Sequence, residues 1–230
     1  MSFNVDVQRR YEKAELVAGI GDPRLNRFCI MSFVAFMAGE YFGDRPRTAS
    51  QIIRKFVIPL NDRVDSATRQ RLKPFAPRII GTNDGRDGER ADLIYRTVID
   101  EILPAAVADT AAVPECAAGK RHAPDEMKPT VRTSGGALPA RIRRNVEHML
   151  DARERGRHDV LAKEAGHMFA TLSETVAQQH RRTWYLNQAI ALLDRLCEVG
   201  AAERIGEGDA APVRPNATAR VARVSAMAKP

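Results

Sequence analysis

Five polar residues stand out for where they fall. Glu40, Asp44, Asn61, Asp62 and Arg78 all lie at expected helix ends or turns, beside the most apolar stretch of the chain. Brought together they would make a polar pocket, with the paired donors of Arg78 clamping an anion or a substrate carboxylate. The structural alternative has Asp44 and Asn61 bonding backbone groups in turns and Arg78 pairing with Glu40 or Asp62. Short polar side chains at turns commonly bond backbone, so that role is the expectation for this set.

Other candidate chemistry is incomplete. Glu164 and His167 form an E-x-x-H whose i, i+3 spacing is that of di-iron bundle ligands, but such a centre takes two copies plus two further helical carboxylates. The sequence holds one copy, and Gly166 inside it weakens the helix. His122, His148, His158, His167 and His180 lack tight metal spacing, so no metal is expected. Cys29 and Cys197 read as small core residues. Cys116 has no His placed in sequence to activate it as a nucleophile.

Residues 81–88, Gly-Thr-Asn-Asp-Gly-Arg-Asp-Gly, precede a helix whose amino end can hold an anion. They lack the Lys and Ser/Thr of a phosphate-binding loop, and their carboxylates would repel phosphate. In EF-hand register, with Asn83 first, Ile94 falls where the bidentate Glu belongs. A capped turn is the expectation. With no set complete, no catalytic residue and no cofactor is expected, and an enzyme is disfavoured.

Helical periodicity supplies the elements that must position these residues. Residues 5–18 are amphipathic, and the Gly19 to Pro23 run breaks them. Residues 24–39 are polar for one turn and then apolar nearly all round, the pattern of a central helix. Thr48 or Ser50 can cap the next helix. It carries Ile52, Ile53, Phe56, Val57, Leu60 and Val64 on one face, with a kink or early end expected at Pro59. A short helix over 65–72 and a long one over 88–107, interrupted by Pro104, follow. Residues 109–138 are rich in Pro and Gly and poor in large apolar groups. Three more helices are expected over 139–154, 158–179 and 183–199. No strand pair is expected outside the tail.

Composition bounds the class. The 230 residues are 44% hydrophobic and 28% charged, which excludes wholesale disorder. The longest apolar run, 28–39, falls short of the about 20 residues a spanning helix needs, so no membrane role is expected. The amino terminus lacks a secretion signature and three widely spaced cysteines suit a reducing compartment, so the expected location is cytoplasmic. Net charge is +7 with a pI near 9.7. Basic and acidic residues number 17 and 14 up to residue 103, 4 and 4 over 104–138, 11 and 9 over 139–205, and 4 and 2 beyond. No segment carries the dense basic run that phosphate-backbone binding favours. Aromatics, at 6%, are too few to favour base-stacking platforms.

The run from Ala38-Gly39-Glu40 through Asp44-x-Pro46, Ala49-Ser50, Ile52-Ile53, Asn61-Asp62 and Arg69-Gln70 to Pro77-Arg78-Ile79-Ile80-Gly81-Thr82 resembles a group of helical proteins from bacteria and phages. The resemblance covers roughly residues 25–103, and it implies a helical fold and no particular activity. Residues 192–205 are faintly similar to the helix-into-wing passage of winged-helix proteins, with the tail around Asn216 as the ribbon.

The expected fold is all-α. An N-terminal helical bundle over 1–108 is joined by a flexible linker, 109–138, to a C-terminal helical unit over 139–205 and a mobile tail, 206–230. The expected function is that of a non-enzymatic accessory protein contacting another protein or a second copy of itself. Trp184, Tyr185, Leu186 and Leu193 on the last helix are the candidate interaction surface, because Trp and Tyr are enriched in binding hot spots. A nucleic-acid-associated regulatory factor is the alternative.

Overall fold

The computed structural model describes residues 5–111 and 138–202. Helix α1 (Val5–Lys13) leads into three two-residue strands, β1 (Glu15–Leu16), β2 (Gly21–Asp22) and β3 (Arg27–Phe28). They form a small sheet in the order β1-β3-β2, with β1 parallel and β2 antiparallel to β3. The expectation of no strand pair is corrected here. Strands this short show no alternation for a periodicity reading to detect. At Gly21, φ is +84° and a Cβ would stand 2.3 Å from the Arg27 carbonyl oxygen, so glycine alone lets β2 close on β3.

Between β2 and β3 a 3-10 turn, Pro23–Leu25, is capped by Asp22, whose carboxylate accepts from Arg24 N at 2.9 Å. Helix α2 (Ile30–Met37) therefore starts six residues later than its apolar pattern suggests. From Ile30 to Ala35 every residue is buried, as a central helix requires.

Helix α3 (Gln51–Arg63) is capped by Ser50, whose hydroxyl oxygen accepts from Ile52 N and Ile53 N. It passes through Pro59 and runs on to Arg63, with Pro59 buried. The short α4 (Ser66–Gln70) is capped by Asp65, and α5 (Ala76–Ile79) follows a 3-10 turn. Helix α6 (Asp87–Arg96) continues through a π turn, Thr97–Ile102, into α7 (Leu103–Ala111). The π turn widens the ladder to i→i+5, with Leu103 N donating to Val98 O. Pro104, which has no amide to donate, then lies directly after the widened turn within this continuous helix. After residue 138 come α8 (Ala140–Glu154), α9 (His158–Thr175) and α10 (Gln179–Glu198). The described residues are mostly helical, and the all-α class holds.

Helix α9 occupies the centre, packing on α3, α6, α8 and α10. Its closest approach to α3 is at Gly166, where a Cβ would lie 2.3 Å from the Phe56 carbonyl oxygen and 3.3 Å from Pro59 Cγ. Beside it Phe56 and Phe169 meet edge to face at 5.9 Å. One continuous core joins Phe33, Ile53, Phe56, Ile94 and Val98 to Met149, Leu161, Phe169, Leu193 and Leu196. The expected division at 109–138 separates these groups in sequence; the packing of the described residues does not separate them in space. The apolar faces of α3 and α9 cover each other, beyond the cover that α8 and α10 give α9 and that α2 and α6 give α3. Residues 112–137, the bulk of the expected linker, and the tail from residue 203 lie outside the described residues.

Candidate functional site

The run that includes Glu40 and Arg78 folds into a chain of hydrogen bonds. Just past α2, the Glu40 carboxylate accepts from Arg47 N at 2.6 Å and Thr48 N at 3.0 Å. The Thr48 hydroxyl oxygen accepts from Gly81 N at 2.8 Å. Ser50 N donates to Thr82 Oγ1 at 2.9 Å, and the Thr82 hydroxyl donates to Ile79 O at 2.7 Å. Ser50 Oγ donates in turn to Asp87. Two loops that are far apart in sequence, 40–50 and 79–87, are thereby held as one.

Arg90 ends that network, and sequence reasoning missed it. Its side chain is fully buried, a rare state for arginine, and is satisfied by five contacts of two kinds. Nη1 and Nη2 grip both oxygens of Asp84 at 2.6 and 2.7 Å, with Asp87 3.6 Å away. Nε donates to Leu196 O at 3.2 Å, and Nη2 also donates to Val199 O at 2.8 Å. Those carbonyls belong to the last turn of α10 and to Val199, the residue that caps it, where a helix leaves acceptors open and favours a cation. The one available signal was position: Arg90 shares the buried face of α6 with Ala91 and Ile94.

Asn61 and Asp62 work on the amino-terminal segment. Asn61 Oδ1 accepts from Ile30 N at 3.1 Å, and Nδ2 donates to Val17 O at 2.9 Å and to Asp62 at 3.0 Å. Asp62 accepts from Gly19 N at 2.9 Å. Gln70 brackets Leu16, taking its amide at 3.0 Å and donating to its carbonyl at 2.8 Å. Lys73 adds a bond to Ala14 O. Side chains of α3, α4 and the 3-10 turn after it thus replace a missing strand partner for residues 14–19.

Arg78 meets neither Glu40 nor Asp62. It lies over the Phe75 ring and pairs with Asp194 and Glu198 on α10. Hydrogen bonds to those carboxylates hold its guanidinium above its ordinary pKa. Asp44 is half-buried and faces a cavity of about 70 Å³ with Gly19, Ile20, Cys29, Ile58 and Asp62. The Cys29 thiol accepts from Ser32 N at 3.2 Å as the cap of α2. Burial pushes its pKa up, with a further rise from Asp44, so it stays a thiol and not the thiolate a nucleophile needs.

On α10, Tyr185 and Leu193 are buried in the core and do not form the expected interaction surface. The Tyr185 hydroxyl donates to Asp109 at 2.6 Å, beside the Arg181–Asp109 ion pair at 2.8 Å. Burial and the Asp109 carboxylate push that phenol far up. Trp184 and Leu186 are half-buried, with Trp184 capped by the Arg181 guanidinium at 4.3 Å. In the helix of the winged-helix similarity, Leu192, Leu196 and Cys197 are also buried, while Asp194, Arg195 and Glu198 are exposed. Its wing lies beyond the described residues. Glu164 accepts from Asn145 at 2.7 Å and lies 3.8 Å from His148. Among the described residues no group of three or more His, Cys, Asp or Glu could hold a metal ion, and no helix is long and apolar enough to cross a membrane.

A larger concavity than that beside Asp44 lies elsewhere. A cleft of about 480 Å³ opens between α1 and the 3-10 turn, lined by Arg9, Arg10, Lys13, Pro23, Arg24 and Asn26. Among the described residues its lining holds four cations and no carboxylate. Arg9 and Lys13 share a face of α1 by their i, i+4 spacing, and the capped turn brings Arg24 and Asn26 opposite. Arg10 lies 5.5 Å from the Phe36 ring, Phe36 is 5.3 Å from Phe28, and Phe28 is 6.3 Å from Phe42. That chain of contacts ties the cleft to the 40–47 loop, where Phe42 is 41% and Tyr41 95% exposed. Compared with known protein families, curated proteins and solved structures, the chain matches none of them.

Proposed function

We propose that this is a non-enzymatic binding protein that holds an anionic partner against the face made by α1, the Pro23–Leu25 turn and the 40–47 loop. The observation that carries the reading is the cleft lined by Arg9, Arg10, Lys13 and Arg24, with no carboxylate among the described lining residues. Four cations facing one space repel each other, and an incoming polyanion relieves that repulsion while shedding its own counterions. Apolar groups beside the cleft, Leu25 at 64% exposure with Tyr41 and Phe42, supply contact area of the kind that marks interaction sites. The interaction role expected for α10 moves to this face, since two of its four residues are committed to the core.

Retention on immobilised heparin tests this. The protein should be retained at low salt, and Arg9→Glu/Arg24→Glu should flow through with an unchanged circular dichroism spectrum. Equal retention of that variant would overturn the reading.

A further inference from the structure

We propose that the polyanion is single-stranded nucleic acid, with its phosphates in the basic cleft and a base stacked on Tyr41. This rests on the binding face proposed above and specifies its ligand. Single-strand binders combine a cationic groove with aromatic platforms that accept any base. Both parts are present and physically joined.

Tyr41 is the telling residue. A side chain so large and so apolar is 95% exposed, and the residue beside it explains how it is held there. Phe42 docks on Phe28, and Phe28 is itself packed against Phe33 and Phe36. The Glu40 carboxylate ties the other end of the loop to Arg47 N and Thr48 N. The ring is therefore presented from an anchored loop. The chain has few aromatics, but Tyr11, Phe28, Phe33, Phe36, Tyr41 and Phe42 crowd this end of it. Arg10, lying against Phe36, links that cluster to the cationic lining.

Shape separates this ligand from its rivals. A duplex keeps its bases stacked inside, leaving Tyr41 without a partner. An acidic peptide could fill the cleft but has no use for a flat ring on an otherwise solvated loop.

The test is fluorescence anisotropy with a labelled 20-nucleotide oligo-dT, the matching duplex, poly-glutamate, and phosphatidylserine-containing vesicles as competitor. The single strand should bind more tightly than the duplex, with a salt slope of log K near −3 for about four phosphate contacts. Tyr41→Ala should weaken it at least about fivefold, the lower end of one stacked base, and Tyr41→Phe should restore it. Tyr41→Ala should leave the salt slope unchanged. Arg9→Glu/Arg24→Glu should abolish binding, while Arg144→Glu/Lys163→Glu, an equal charge change on the exposed surfaces of α8 and α9, should weaken it far less.

An inert Tyr41→Ala, or duplex bound as well as the single strand, would overturn this proposal while leaving the cleft a general anion site. Tighter cleft-dependent binding of poly-glutamate or vesicles would overturn it in favour of an acidic protein or a membrane surface. Polyanion binding that ignores Arg9→Glu/Arg24→Glu would bring down both this proposal and the reading beneath it.

Discussion

Replacing Asn61 by Ala would leave the Ile30 amide and the Val17 carbonyl without partners in the interior. The expected loss is roughly 2–4 kcal/mol, the desolvation of one to two backbone groups, read from a urea midpoint at constant slope. Arg90→Met should cost about 3–5 kcal/mol, because it removes the buried charge partner of Asp84 and the donors to two carbonyls. Arg90→Lys should recover little of that, since an ammonium cannot reproduce the planar fork. By contrast Arg78→Ala breaks half-exposed pairs and should cost about 1 kcal/mol or less. Burial holds the His167 imidazole below its usual value of 6.5, with Glu164 opposing and Lys163, Arg63 and Arg141 reinforcing. The unfolded chain therefore takes up its proton first as pH falls. Stability should decline from about pH 6.5 downward until the native imidazole also protonates. His167→Gln should flatten that part of the stability profile, and an unchanged profile would place the dependence elsewhere.

At the scale of elements, two glycines in helices predict opposite signs. Gly166→Ala gains helix propensity but drives a methyl to 2.3 Å from the Phe56 carbonyl oxygen, which α3 cannot yield without moving. The net should be a loss of about 2–3 kcal/mol. At Gly88 the added Cβ would meet only His158 Cε1, at an ordinary 3.9 Å. Gly88→Ala should stabilise by up to about 1 kcal/mol. Paired thermal melts of the two variants check this, and a stabilising Gly166→Ala would refute the close α3–α9 crossing. The crossing also accounts for Pro59, whose ring packs against Gly166 where a longer side chain on either helix would hold the two apart.

Across the whole molecule, the shared core predicts that the two halves unfold together. Trp184 fluorescence reports on the C-terminal helices and far-UV circular dichroism on all of them, and the two should trace one transition. A chain ending at residue 111 should lack fixed tertiary structure, with ANS binding and a collapsed near-UV signal, because α3 loses the surface that buries Phe56. Leu193→Asp, which buries a charge in that core, should lower stability in both signals at once. Two separate transitions, or a native-like fragment, would restore the division at 109–138.

Much of this protein was decided locally and is legible in one dimension. The helices over 140–154 and 158–175, the Ser50 and Asp65 caps, and the buried surround of α2 follow from apolar spacing and from side chains that bond amides two or three residues away. Asn61 bonds backbone as expected, but from within α3 and to Ile30 and Val17, so its partners are set by tertiary structure and not by a local turn. Tertiary structure alone decided the rest. Arg78 and Arg90 find their partners on α10, more than a hundred residues on, and no spacing rule reaches that far. The strands over 15–28 are too short to carry a period, and the edge that β3 leaves open at Leu16 and Val17 is met by side chains of α3 and α4. Positive charge is spread thinly along the chain, yet folding sets Arg24 opposite Arg9, Arg10 and Lys13. Electrostatic potential depends on distance in space, so a cationic cleft can exist where no basic run does.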